Sequence, residues 1–274
     1  MTDTVSEAEE PAGAPMTFWE HLDEFRSRLI KSMIAVAIGT AVVISLWGPV
    51  SDFFLRPYCD ALDALGRTEP CSLVITDPLE GFRTRLRVGF TGGIALAMPV
   101  ILWQLWQFIH PALKPSEKRW TLPFVISGVV LFVAGVSLGF WTFPRALEFF
   151  INVGGSNISP LFTPDKYFSL ITFLMLSFGI GFEFPIVLIF LQLAGVVNAD
   201  TLARGRRYAA VGIVTLAAII TPTGDPITLG ALSIPLYIFY EAAIVIGRFL
   251  VRRRAGLPGF RRGRLFRRSG SDRS

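Results

Sequence analysis

The chain has 274 residues, 52% of them hydrophobic and only 17% charged, with a mean hydropathy of +0.53. Soluble domains carry about a quarter charged residues, so this balance excludes an ordinary soluble fold and points to an all-α, polytopic membrane domain. The net charge of +5 is unevenly placed: residues 1–15 hold Asp3, Glu7, Glu9 and Glu10 without a Lys or Arg, whereas residues 248–274 hold ten arginines against Asp272.

In chain order, residues 1–16 read as an acidic, disordered tail, residues 17–248 as one membrane domain, and residues 249–274 as a basic, disordered tail. No cleavable signal peptide is expected, because the start is acidic and the first apolar run lacks a small-residue cleavage site. From Thr17 to Lys31 an amphipathic helix is expected, with Phe18, Leu22, Phe25 and Leu29 on one face and a Thr17–Glu20 capping box at its start. It feeds into span 1, Leu29 to Trp47, which Gly48 and Pro49 should end. Residues 51–82 read as the longest loop, with Pro57 setting a turn and Thr76-Asp77-Pro78 closing it.

Span 2 is placed at Arg83 to Ile109, a short basic turn at His110 to Trp120, and span 3 at Thr121 to Phe143. After a loop from Pro144 to Asp165, span 4 covers Lys166 to Val196, with a kink expected at Pro185. The basic turn Val197 to Arg207 precedes span 5, Tyr208 to Thr221, which at about 14 residues makes only about 21 Å of helix. A hairpin turn of Pro222 to Pro226 then leads to span 6, Ile227 to Gly247. With six spans and both termini inside, 19 of the 26 Lys and Arg lie on the inner side, ten of them in the tail, which favours cytoplasmic termini. A basic tail beside a span is attracted to anionic lipid at about 1 kcal/mol per cation. Nucleic-acid binding is not expected, since aromatics are scarce there and no folded module accompanies the arginines.

Three stretches carry a resemblance. The first is Glu20-His21-Leu22-Asp23-Glu24-Phe25-Arg26-Ser27-Arg28-Leu29. The second runs from Trp103-Gln104-Leu105-Trp106-Gln107-Phe108 through Pro111-Ala112-Leu113 to Glu117-Lys118-Arg119. The third is Gly179-Ile180-Gly181-Phe182-Glu183-Phe184-Pro185, with Thr221-Pro222 and Ile234-Pro235-Leu236-Tyr237 beyond it. In this order, within six spans, they resemble the TatC family, the multispanning subunit of the twin-arginine protein translocase. The resemblance implies a concave, cup-shaped six-helix bundle in the bacterial cell membrane. It also implies a receptor for twin-arginine signal peptides, single-span TatA and TatB partners within an oligomeric complex, and a proton-motive-force energy source.

The residues allow more than one chemistry. Glu24 and Glu117 both fall on the inner face, and two carboxylates can hold two consecutive arginines bidentately. Equally, Glu24 can pair with Arg28 at i, i+4, leaving Glu117 as a loop charge. The resemblance implies the former, because the family's signal-peptide recognition residues match Glu24 and Glu117, with Phe108 and Leu113 flanking them. Asp23 departs from the family pattern and either adds a third carboxylate or faces water. Glu183 lies within a span and should face protein or a watery cavity, as a structural hydrogen-bonded group or as a polar docking point for a partner helix. Glu241 is expected to snorkel or pair with Arg248, and the role of Asp225 stays open.

Cys59 and Cys71, the two cysteines, fall in the first outer loop, where an oxidising compartment permits a disulfide; two free thiols are the alternative. His21 and His110 lack accompanying ligands for a metal set, and no Walker or dinucleotide fingerprint is present, so no cofactor and no enzymatic activity are expected. A small-solute secondary transporter is the alternative function, though such proteins show internal repeats that are not evident here.

Overall fold

The computed structural model describes residues 18–64, 66, 71–109, 121–153, 161–193, 195–221 and 225–255. Among them all regular structure is helical: α1 (Phe18–Ser45), α2 (Trp47–Ala64), α3 (Glu80–Ile109), α4 (Thr121–Val153), α5 (Pro164–Phe182), α6 (Phe184–Leu193), α7 (Ala199–Arg204), α8 (Arg206–Ile220) and α9 (Pro226–Ala255). Five stretches are long and apolar enough to cross a membrane: Trp19–Ser45, Glu80–Phe108, Leu122–Val153, Pro164–Leu193 across the α5–α6 break, and Pro226–Phe249. Helix is what hydrocarbon demands, because each backbone donor and acceptor must find its partner within the segment. α8, at 15 residues, is shorter than the roughly 20 residues that span a full hydrocarbon core.

The chain divides into two compact units. In the first, residues 1–53 with 75–129, α1 packs along α3 through a row of small residues. A Cβ placed on Gly39 would lie 2.7 Å from the carbonyl oxygen of Gly93, and one on Gly93 would lie 2.6 Å from the backbone nitrogen of Thr40. Gly92 and Gly89 instead make room for side chains, where an added Cβ would meet Val43 at 3.1 Å and Ile44 at 2.6 Å. Without a hydrophobic drive between helices in lipid, such close backbone approach supplies the van der Waals contact that holds them. At the start of α3, Glu80 accepts from the Thr76 N–H at 3.0 Å and Asp77 accepts from the Leu79 N–H at 2.9 Å. These two carboxylates satisfy donors of the turn that leads into the helix.

In the second unit, residues 54–74 with 130–274, α4 and α5 approach through Gly135, Gly139 and Gly179, where an added Cβ would strike Phe178, Met175 or Phe132. Tyr167 is buried and donates to the Phe54 carbonyl at 2.7 Å. Cys59 and Cys71 are joined as a disulfide, with Cα atoms 5.4 Å apart. Asp225 caps α9: its Oδ1 accepts from the Thr228 N–H at 2.8 Å, and Pro226 occupies the first helical position, where no N–H is needed. The capping role of Asp225 was not legible from its sequence neighbourhood.

Several elements differ from the sequence expectations, and proline is the common cause. α1 ends at Ser45, two residues short of the expected end of span 1 at Trp47, but no loop follows: Gly48 and Pro49 sit in the first turn of α2. Proline is tolerated there because the first-turn N–H groups have no intrahelical acceptor. Pro57 lies inside α2 rather than in a turn, and with Tyr58, Ala61 and Leu62 it forms the buried face at helical spacing. α4 likewise continues ten residues past Phe143 with Pro144 inside it, burying Phe143, Ala146, Leu147 and Ile151. The expected basic turn after span 4 contains the short helix α7. Thr17, the 110–120 turn, residues 222–224 and the chain beyond Ala255 lie outside the described residues.

The glycine row yields a prediction. Gly39→Ala and Gly93→Ala should each destabilise the detergent-solubilised protein by about 1–3 kcal/mol, because each new methyl strikes backbone that cannot yield. Gly212→Ala, whose Cβ meets nothing within 4 Å, should leave the thermal midpoint unchanged or raise it, since Ala favours helix over Gly by about 1 kcal/mol. Thermal unfolding monitored by circular dichroism separates the two classes.

Candidate functional site

The face formed by His21, Glu24, Phe25 and Arg28 repeats at i, i+3, i+4 and i+7 on the first three turns of α1. It meets the last turn of α3. The His21 ring stacks on Phe108 with centroids 4.4 Å apart, and Phe25 approaches the same ring edge-on at 5.5 Å. Arg28 Nε donates to Glu24 Oε1 at 3.0 Å, Nη2 donates to the same oxygen, and Nη1 donates to Gln107 Oε1. The guanidinium thus ties α1 to α3 and holds one carboxylate oxygen of Glu24.

The other carboxylate oxygen, Glu24 Oε2, is buried and has no hydrogen-bond partner among the described residues. The side chains of Glu24 and Arg28 are 17% and 20% exposed, shielded enough that a charge here gains more from a partner than on an open surface. The corner is therefore an aromatic-walled carboxylate that already accommodates one guanidinium and retains unused acceptor capacity.

Of the residues singled out from sequence, Glu24 and Phe108 lie at the same end of the α1–α3 pair: Arg28 holds Glu24 and donates to Gln107, the chain neighbour of Phe108. Glu117 and Leu113 lie outside the described residues. Asp23 is exposed beside Arg26, Ser27 and Lys31, one face round from Glu24. Gln107, His21 and Phe25 were not chosen from sequence, although the heptad spacing of His21, Glu24, Phe25 and Arg28 was a signal for their common face.

Glu183 belongs to the second unit and sits at the break between α5 and α6. Pro185, the second residue of α6, has no N–H to continue the ladder. The chain reconnects through the Glu183 main-chain carbonyl, which accepts from Ile186 N–H at 3.0 Å and Val187 N–H at 3.1 Å. The side chain is buried, and its Oε1 has no partner among the described residues. Glu241 pairs with Arg206 at 2.7 Å, whereas Arg248 reaches Asp200 at 3.3 Å. The sequence expectation of a Glu241–Arg248 pair is thereby corrected, since α7 and α8 bring other charges to the α9 surface. Among the described residues no group of three or more His, Cys, Asp or Glu could hold a metal.

A sequence profile of the family described as Sec-independent protein translocase protein (TatC) matches residues 20–235. The chain is 36% identical over 237 residues to the Sec-independent protein translocase protein TatC of Carboxydothermus hydrogenoformans, covering 86% of this chain and 94% of that protein. It is 34% identical over 242 residues to the TatC of Aquifex aeolicus, covering 87% and 98%. A crystal structure of the twin-arginine translocase receptor TatC superposes with a TM-score of 0.70 at 35% identity, over 85% of this chain and all of that one. The small-solute transporter alternative finds no support among these relatives. With its profile match, its apolar helices and the fold of a known member in agreement, the chain belongs to the TatC family: a multi-pass membrane protein of the Sec-independent protein translocase, and not an enzyme.

Proposed function

We propose that this chain is the receptor subunit that recognises twin-arginine signal peptides, with Glu24 and Glu117 as the two arginine-binding carboxylates and Phe108 and Leu113 flanking them. The observation that carries the reading is Glu24 itself. Its carboxylate sits in an aromatic corner that already fits a guanidinium, and one of its oxygens remains buried without a partner among the described residues. A substrate arginine would take up that free oxygen, and a second carboxylate at Glu117 would serve the neighbouring arginine.

The reading extends to topology. α8 serves as a fifth, short span, giving six spans with both termini on the cytoplasmic side of the bacterial inner membrane and the arginines of the C-terminal tail against anionic lipid. The distribution of Lys and Arg supports it. A membrane-impermeant thiol reagent should label a single cysteine at residue 117 only after the membrane is permeabilised from outside; labelling in intact cells would overturn the orientation and the site with it.

Glu183 is the proposed polar docking point for a single-span partner of the TatA or TatB type, in an assembly of several chains. A buried carboxyl at a helix break, with an acceptor unfilled among the described residues, matches a hydrogen-bonding side chain on a membrane helix.

Two further outcomes test these roles. Glu24→Ala and Glu117→Ala should each reduce photocrosslinking of a twin-arginine signal peptide about tenfold or more, as loss of a charged hydrogen bond implies; unchanged crosslinking and export in both removes the proposal. Glu183→Ala should abolish copurification of the single-span subunits while Glu183→Gln retains it, if hydrogen bonding rather than charge is what the partner reads. Equal retention in both would assign Glu183 a purely structural role.

A further inference from the structure

α1 and α3 approach backbone to backbone at one end and meet through side chains at the other. The glycine contacts run from Gly39 to Ile44 on α1 and from Gly89 to Gly93 on α3. Away from them, toward Phe25 and Phe108, the two helices leave a groove of about 760 Å³. Its walls are apolar, with Met33, Val36 and Ala37 from α1 facing Phe90, Ile94 and Ile101 from α3. The groove lies on helices that cross the membrane, and only 11% of the membrane window of α1 is buried, so it opens to the bilayer.

The polar groups of the groove gather toward one end. Arg28 has five N–H donors, of which three are used among the described residues, two on Glu24 and one on Gln107. About one helical turn inward from Phe108, the Gln104 side chain lines the groove, its Oε1 buried without a partner among the described residues. An amide left unpaired beside hydrocarbon is unfavourable, and because its oxygen and nitrogen are interchangeable by rotation it can present either an acceptor or a donor there.

Chemistry decides what fits. From Phe25 to Thr40 the groove runs roughly 22 Å along α1, apolar along its walls and with donors toward one end. An extended peptide would bring backbone N–H and C=O groups opposite Met33, Val36, Ile94 and Ile101, which offer no partners. A hydrocarbon chain brings none.

We infer that this groove is a phospholipid-binding site: one acyl chain lies between α1 and α3, and the phosphate and ester end is held by the spare donors of Arg28 and by the Gln104 amide. This goes beyond signal-peptide recognition and does not depend on it. The two share Phe25, Arg28 and Phe108 at the rim, so the lipid forms part of the floor beneath the carboxylate corner.

The test uses the full chain in nanodiscs of phosphatidylethanolamine and phosphatidylglycerol, doped with a phospholipid that carries a diazirine in its acyl chain. Mass mapping should place the label on Val36, Ala37, Ile94 and Ile101. Ala37→Trp and Ile94→Trp, introduced separately and each checked for an unchanged thermal midpoint, should lower that labelling on the order of tenfold, since displacing two methylenes is worth about that much. Labelling of the exposed Ile34 and Ile38 should not change, and Gln104→Leu should lower groove labelling while leaving theirs intact. Label spread evenly over α1 and indifferent to both tryptophans would show ordinary boundary lipid and overturn the proposal. So would groove labelling by a diazirine in the apolar stretch of a signal peptide, with the lipid probe giving none there.

Discussion

Hydrocarbon offers no partner to a polar atom, and most features of this chain follow from how each such atom is settled. Within the spans, hydroxyls turn back on their own helices: Ser32 to the Arg28 carbonyl, Ser45 to Ala41, Thr91 to Arg87, Thr172 to Phe168 and Thr221 to Ala217, each four residues back. Gln192 spans a gap instead, donating from Nε2 to the carbonyls of Leu188 at 3.3 Å and Ala243 at 3.0 Å, which pins α6 to α9. Gly247 sits directly beneath that amide, and a larger residue there would collide with it. At Glu24, Gln104 and Glu183 one side-chain oxygen is buried without a partner among the described residues, as are Gln192 Oε1 and the hydroxyls of Thr84, Thr142 and Ser233.

The same economy shapes the first unit. Lipid tails are as apolar as leucine, so α1 and α3 gain little from burying apolar surface against each other and rely on close contact at the glycines. The closest backbone contact lies between Gly39 and Ile44, and toward the other end of the pair the contact passes to side chains. There Arg28 joins Glu24 to Gln107, His21 stacks on Phe108 and Phe25 meets the same ring edge-on. The groove shares Phe25, Arg28 and Phe108 with that contact.

The spans were legible because runs of apolar residues this long have no other solution, and five of the six expected segments have helices of spanning length. The helix ends were less legible, for a specific reason. Proline was read as a stop at Pro49, Pro57 and Pro144, yet all three lie within helices. The first sits where no N–H is required, and the other two belong to faces whose burial outweighs one missing hydrogen bond: Tyr58, Ala61 and Leu62 around Pro57, and Phe143, Ala146 and Leu147 around Pro144. At Pro185 the penalty is instead expressed as a break at Glu183. In the candidate site, the carboxylate was recognisable as a motif residue, but the Arg28–Gln107 tie was not, since it joins positions 79 apart in the chain.

That tie bears on how a receptor of this design would work. A carboxylate kept ready for a guanidinium, and shielded from water, would be costly to leave bare between cargoes, because an unpaired buried charge forfeits its solvation without recompense. Arg28 eases the difficulty by holding one oxygen. On the proposed reading an incoming arginine then gains only the difference between its own hydrogen bonds and those it displaces or shares. Such a difference is small, a few kcal/mol for charged hydrogen bonds. An arginine added at the second oxygen would share a carboxylate that Arg28 already holds, so recognition on this reading rests on a modest gain that is readily reversed.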